Sequence, residues 1–261
     1  MNKISAVIIT FNEEKNIERC LQSLQGVADE ITVLDSFSSD NTENICRQYN
    51  VKFVQHAFDG HIQQKNRALG LASNDYVLSL DADEALSTEL KQSILTIKEN
   101  WNADAYCFNR LTNYCGKHWI KHCGWYPDTK LRLWDRRKGC WGGFNPHDIV
   151  VMEKSATVKR IKGNLLHYTC YTISDHVLQV NKFSEIMAKN NYERGVKSST
   201  FKIIYKTLWC FVRNYFFRLG FLDGYYGFVV CNISAFATFL KYVKLRQLYK
   251  VAAKRANSGS T

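Results

Sequence analysis

Three acids within four positions, Asp81, Asp83 and Glu84, close the apolar run "YVLSLDADEAL" at residues 76 to 86. Such a group is costly unless a cation or a sugar hydroxyl answers it, because burial and mutual repulsion both disfavour the charged forms. Asp81 and Asp83 are two residues apart. At the end of a strand both carboxylates point the same way and can face one divalent cation. Hard oxygen ligands suit Mg²⁺ or Mn²⁺, which hold substrate phosphates through only one or two protein carboxylates. A diphosphate leaving group needs that neutralisation as its bond breaks. Asp-x-Asp alone is common in loops; its place after an apolar strand gives it weight.

Other residues carry compatible chemistry. Lys65 and Arg67, in "QQKNRALG", can meet phosphates or pair with the acids, although a solvated helix face accounts for Lys65 nearly as well. Asp148, in "GGFNPHDIVV", follows a glycine pair, Pro146 and His147. An acid in such a mobile segment serves as a general base that deprotonates a hydroxyl; a turn aspartate capping the next strand is an equal reading. Cys107, Cys115 and Cys123, with His118 and His122 among them, are spaced too widely for a zinc knuckle and read as a cysteine-rich strand and loop. No Gly-x-Gly-x-x-Gly or P-loop is present, which excludes the dinucleotide and Walker readings.

The elements that must position these residues follow from periodicity. Strands at 5–10, 30–36, 51–56 and 75–83 alternate with helices at 12–24, 38–49, 61–72 and 87–100, Asn12 serving as N-cap of the first. That alternation implies an α/β fold with a parallel, doubly wound sheet. Ligands of such sheets bind beyond the carboxyl ends of the strands. Thr10, Asn12 and Glu13 after the first strand, Asp35 after the second, and Asp81 and Asp83 after the fourth therefore share one rim. Residues 105 to 170 read as mixed or antiparallel strands laid on the parallel half, and 173 to 195 as helix.

The chain has 261 residues, 46% hydrophobic, enough for one large domain or a domain with an appendage. Its opening, "MNKISAVIIT", reads as a first strand and not as a signal peptide, so the nine cysteines are expected to stay reduced. The net charge of +11 is uneven: residues 201 to 261 hold ten Lys or Arg and one acid, against 25 and 23 in the first 200. A basic tail seeks phosphates. This tail is also greasy. Ile204, Leu208, Phe211, Val212, Tyr215 and Leu219 line one helix face, and residues 224 to 240 run 17 positions without a charge. That is the lower edge of the ~20 residues needed to span a bilayer. The combination favours peripheral attachment to an anionic membrane surface over nucleic acid, with a helical hairpin packed on the body as the alternative. The expected division is a catalytic domain at 1–198, a membrane-associating helical region at 199–255 and a disordered tail at 256–261.

Five stretches, "AVIITFNEEKNIERCLQSL", "DEITVLDSFSSDNT", "QKNRALGLASNDYVLSLDADE", "WYPDTKLRLWDRR" and "PHDIV", resemble the family 2 inverting glycosyltransferases of GT-A fold, most of all the bacterial lipopolysaccharide core β-glucosyltransferases. The resemblance implies a mostly parallel mixed sheet with flanking helices and a nucleotide-sugar donor, with UDP-glucose suggested. It implies a lipid-linked saccharide acceptor at the cytoplasmic face of the inner membrane. By the same resemblance, Thr10, Asn12 and Glu13 match a nucleotide-contacting segment and Asp35 an aspartate that contacts the nucleobase. Asp81 and Asp83 match the Asp-x-Asp motif, with Asp83 the direct Mg²⁺ or Mn²⁺ ligand. Asp148 matches the catalytic acid, one methylene shorter than the commoner Glu, and His167 a histidine that approaches the metal. Two rivals fit less well. A haloacid-dehalogenase phosphatase carries Asp-x-Asp after its first strand, not its fourth. A non-catalytic membrane-binding module explains the tail but not acids at three strand ends.

Overall fold

The structure, a computed structural model, describes residues 2–144 and 147–258. Pro146 and the last three positions of the expected tail lie outside the described residues. The first half runs β1 (Ile4–Thr10), α1 (Ile17–Leu24), β2 (Glu30–Asp35), α2 (Thr42–Arg47), β3 (Lys52–Gln55), α3 (His61–Gly70), β4 (Tyr76–Asp81), β5 (Glu84–Leu86) and α4 (Thr88–Glu99). Then come β6 (Ala105–Tyr114), β7 (His118–Ile120), β8 (Asp128–Asp135), β9 (Gly139–Phe144), β10 (His147–Met152) and β11 (Val158–Cys170). The chain ends in α5 (Ile173–Glu193), α6 (Thr200–Val212), a π-helical turn (Arg213–Phe217), a 3₁₀ turn (Gly220–Asp223) and α7 (Gly224–Ser258).

Among the described residues nine strands form one mixed sheet, in the order β3-β2-β1-β4-β8-β6-β11-β5 with β7 paired to β6. β1 to β4 are mutually parallel and β8 reverses direction against β4. The two-residue alternation of β1 sorts its side chains between two cores. Ile4, Ala6 and Ile8 pack with Ile17, Leu21 and Leu24 of α1 and Leu90 and Ile94 of α4. Val7 packs on the other side with Leu34, Val77 and Ala68 and Leu69 of α3. Apolar burial on both faces is what a parallel sheet requires.

The chain divides into two compact units, Met1–Leu111 with Asp128–Tyr168, and Thr112–Pro127 with Thr169–Thr261. In the second unit α5 and α6 each pack on α7, burying Val180, Ala188, Ile203, Cys210, Val230, Cys231 and Leu245. Thr172 and Asp175 form a capping box at the start of α5. Residues 256–258 of the expected tail belong to α7.

Three local features differ from expectation. α1 begins at Ile17, not after Asn12. Asn12 sits instead at φ 54°, where its Oδ1 accepts from the Ser39 N–H at 2.8 Å and its own N–H donates to Ser38 Oγ at 2.8 Å. A side chain engaged with a neighbouring loop cannot cap its own helix. The fourth strand stops at Asp81, and a turn at 82–83 leads into β5, which periodicity did not reveal. The glycine pair before Asp148 is no loose segment: Gly142 and Gly143 lie in β9, opposite Ile149 and Asp148 of β10.

Candidate active site

The register of the parallel strands sets the rim. Thr10 of β1 stands beside Asp35 of β2, and Ile9 beside Asp81 of β4, so the three strands end level. The loops that follow are laced together. The Glu13 N–H donates to Thr42 Oγ1 at 2.9 Å and the Glu14 N–H to Asp40 Oδ2 at 3.0 Å, beside the two Asn12 bonds. Thr10 is buried, and its hydroxyl has no partner among the described residues. Asp35 is fully buried; Ser38 donates its N–H to one carboxylate oxygen and its hydroxyl to the other. That carboxylate shapes the loop after β2.

The centre of the site is a buried cation between two carboxylates. Lys65, on the inward face of α3, places its Nζ 2.7 Å from Asp148 Oδ2 and 2.9 Å from Asp81 Oδ1. Asn66 holds β9 against α3, donating to the Trp141 carbonyl at 2.8 Å and accepting from the Trp141 N–H at 3.0 Å. The Trp141 ring thereby lies 4.4 Å from Lys65 Nζ, within cation–π range. Arg67, two residues along the helix and so on another face, pairs with Asp59 at 2.8 Å and is not brought to this cluster.

A second buried cation completes the network. Arg132 of β8 donates to Asp81 Oδ2 at 3.0 Å and to Glu84 Oε1 at 3.1 Å. Glu84, with a fully buried side chain, accepts the Asp81 N–H at 3.0 Å. Burial alone would push the Asp81 carboxyl up; Lys65 and Arg132 overcome this and hold it well below the usual range. Burial likewise opposes the charge on Arg132, but Glu84, Asp81 and Asp148 raise it further. Sequence alone singles out neither Arg132 nor Trp141. The available signal was an arginine between two leucines in "KLRLWD", since a charge inside an apolar strand is buried only when paired.

Asp83 takes a different direction from Asp81. The turn at 82–83 breaks the strand periodicity, so the two carboxylates do not share partners. Antiparallel pairing of β11 with β5 sets His167 opposite Glu84, and His167 Nε2 lies 3.2 Å from Asp83 Oδ2. Among the described residues no three His, Cys, Asp or Glu side chains group to hold a metal. One carboxylate oxygen and one imidazole nitrogen nevertheless fit a divalent cation that takes its other ligands from a diphosphate and water. Asp81, engaged by two cations, is not available for that role.

Glu13 is the titrating group of the rim. Burial raises its carboxyl from 4.5 to about 7; Asp83, Asp40 and Asp81 add to the rise and Asn16 opposes it. The folded chain therefore keeps a proton that the unfolded chain loses between these values. This contribution is fully present below the lower value and lost as pH rises through the upper one. Glu13→Gln keeps the contact with Asn16 and removes the titration. It is expected to raise the melting temperature at pH 8 and leave it nearly unchanged at pH 5, with a ceiling of about 3 kcal/mol. Equal effects at both pH values would rule out this origin.

The family model "Glycosyl transferase family 2" matches residues 5–159. An uncharacterised glycosyltransferase of Rickettsia typhi is 34% identical over 95% of this chain and 88% of its own length. The lipopolysaccharide core biosynthesis glycosyltransferase LpsC of Rhizobium meliloti is 28% identical over 96% and 94%. Among solved structures, glucosyl-3-phosphoglycerate synthase of Mycobacterium tuberculosis, in complex with Mn²⁺, UDP and glucosyl-3-phosphoglycerate, is 23% identical over 43% of this chain and 44% of that one, with a TM-score of 0.35.

Proposed function

This chain belongs to glycosyl transferase family 2, and we propose that it is a metal-dependent inverting transferase. Its donor is a nucleotide sugar, UDP-glucose by preference. Its acceptor is a lipid-linked saccharide of the lipopolysaccharide core or a related envelope glycan. The relative LpsC, named for lipopolysaccharide core biosynthesis, supports that acceptor class.

One observation carries the reading: Lys65 bridges Asp148 and Asp81, so the candidate base and the Asp-x-Asp motif meet at one cation. Asp148 accepts the proton of the acceptor hydroxyl. The freed oxygen attacks the anomeric carbon from the side opposite the diphosphate. The new C–O bond forms as the bond to the leaving phosphate oxygen breaks, so configuration inverts. Lys65 keeps Asp148 in place through its 2.7 Å contact, and Trp141 covers the same ammonium. Asp83 and His167 would hold the Mg²⁺ or Mn²⁺, which when bound supplies positive charge to the departing diphosphate. Thr10, whose hydroxyl has no partner among the described residues, and the laced loops at Asn12 and Glu13 offer polar groups to the nucleotide.

The chain is proposed to work as a peripheral protein at the cytoplasmic face of the bacterial inner membrane. By length and composition Gly220–Ala253 is apolar enough to cross a membrane. The test of the reaction is a panel of UDP-, GDP- and CMP-sugars with and without Mn²⁺. One UDP-sugar is expected to bind only with metal, and Asp83→Ala to lose that metal-dependent binding. Donor binding of equal strength without metal, or unchanged in Asp83→Ala, rejects the assignment of Asp83.

A further inference from the structure

α6 is an amphipathic helix turned outward. Its inner positions, Ile203 and Cys210, are buried, as is Asn214 one turn on. Its outer positions are Phe201, Ile204, Tyr205, Leu208 and Trp209, exposed by 79%, 56%, 48%, 62% and 41%. The spacing i, i+3, i+4, i+7, i+8 makes these one continuous apolar stripe. An apolar stripe facing outward on a well-formed helix marks a surface that something covers.

The cations say what covers it. At ~100° per residue, Lys202, Lys206 and Arg213 all fall on one flank of the stripe, between the outer and inner faces. Long basic side chains beside an apolar face reach the phosphate level of an anionic bilayer while the apolar residues sit among acyl chains. Tyr205 and Trp209 are the rings that prefer the boundary between the two. The same surface continues beyond α6 in Phe216 and Phe217, both exposed. No carboxylate occurs between residues 194 and 222 to repel anionic lipid.

α7 has the composition of a spanning helix but not its surroundings. Lys244 donates to the Asn181 carbonyl, Asn181 Oδ1 and Ser184 Oγ, each at 2.8 Å, tying α7 to α5. α5 carries Asp175, Lys182, Glu185, Lys189 and Glu193. A spanning α7 would draw α5 and its charged side chains into hydrocarbon, where ionised groups are strongly disfavoured. We infer that α6, lying in the plane of the membrane with its Phe201–Trp209 stripe inserted, is the element by which this protein holds an anionic lipid surface, and that α7 does not cross the bilayer. This rests on the membrane reading above and names its surface.

The full chain would be sedimented with vesicles of phosphatidylcholine containing phosphatidylglycerol, and with phosphatidylcholine alone. Wild type is expected to bind the anionic vesicles, to lose binding in high salt and to be released by alkaline carbonate. Ile204→Glu/Leu208→Glu should weaken binding by about 100-fold, each buried aliphatic side chain being worth at least tenfold. Phe236→Glu, on the exposed side of α7, should change it less than threefold. UDP-sugar binding should be unchanged in both variants, which reports folding and leaves the reaction assignment to its own test. Three results overturn the inference. One is vesicle binding by the double variant equal to wild type. Another is resistance of wild type to carbonate, which would make α7 a spanning helix. The last is a lipid-free dimer that the double variant dissociates, which would make the stripe a contact between copies. Failure of wild type to bind either vesicle removes the whole membrane reading while donor turnover stands.

Discussion

Asp148→Asn is expected to lower sugar transfer by about 10²–10⁴-fold, the range that a positioned general base contributes. The substitution keeps the size and an oxygen for Lys65, which now donates at 2.7 Å to Asp148 Oδ2. What it removes is the capacity to take a proton from the acceptor hydroxyl. The loss should therefore fall on kcat, with donor affinity within a few-fold of wild type and a fall in melting temperature smaller than that of Arg132→Met, because Lys65 keeps Asp81 as a charged partner. Asp148→Glu, which restores the carboxylate one methylene further out, should recover part of the rate. Transfer measured with a saturating donor and a lipid-linked acceptor decides the matter. Asn at wild-type rate would show that Asp148 is a structural partner of Lys65 and that the base lies elsewhere. A fall in donor affinity matching the fall in rate would assign Asp148 to donor binding instead.

The sequence made the parallel half of the fold legible because strand and helix periodicities alternate cleanly there. Ser87 caps α4, its Oγ accepting the Leu90 N–H at 3.2 Å. The level strand ends, and hence the company of Thr10, Asp35 and Asp81, follow from parallel pairing, which the sequence already implied. Illegible were the partners that arrive from far along the chain. Arg132 comes from a strand that pairs antiparallel to β4, and no local pattern sets that register. Trp141 reaches Lys65 through the hold of Asn66 on β9, a contact across 75 residues. Asp81 and Asp83 looked equivalent by spacing and are not, because a turn separates them. The three acids of "DADE" are thus answered in two ways: Asp81 and Glu84 by the protein's own cations, and Asp83 together with His167.

Arg132→Met should be the most destabilising change in the catalytic half. Arg132 is buried and donates to two acids, Asp81 and the fully buried Glu84. Methionine fills much of the volume, so the loss is electrostatic. Removing one member of a buried ionic network leaves uncompensated charge, which costs about 3–5 kcal/mol. For a chain of this size that is a fall in melting temperature of roughly 10 °C. Arg110, 3.6 Å from Glu84, softens the loss without replacing a direct hydrogen bond. A second substitution identifies the cause. In Arg132→Met/Glu84→Gln the orphaned charge is neutral, so the double variant should be more stable than Arg132→Met alone. That is a non-additivity that simple loss of packing would not produce. The dependence on pH has a definite sign. In wild type Asp81 is held low, so its contribution is present above the ordinary carboxylate range and lost as pH falls. In Arg132→Met burial still acts on Asp81 but one of its opposing cations is gone while Lys65 and Arg110 remain, so its pKa rises and protonation relieves the folded state. The gap between variant and wild type should therefore narrow from pH 8 toward pH 5. A gap that stays constant, or a double variant no better than the single one, would show that Arg132 stabilises by its bulk and that the buried network is not what holds this strand end together.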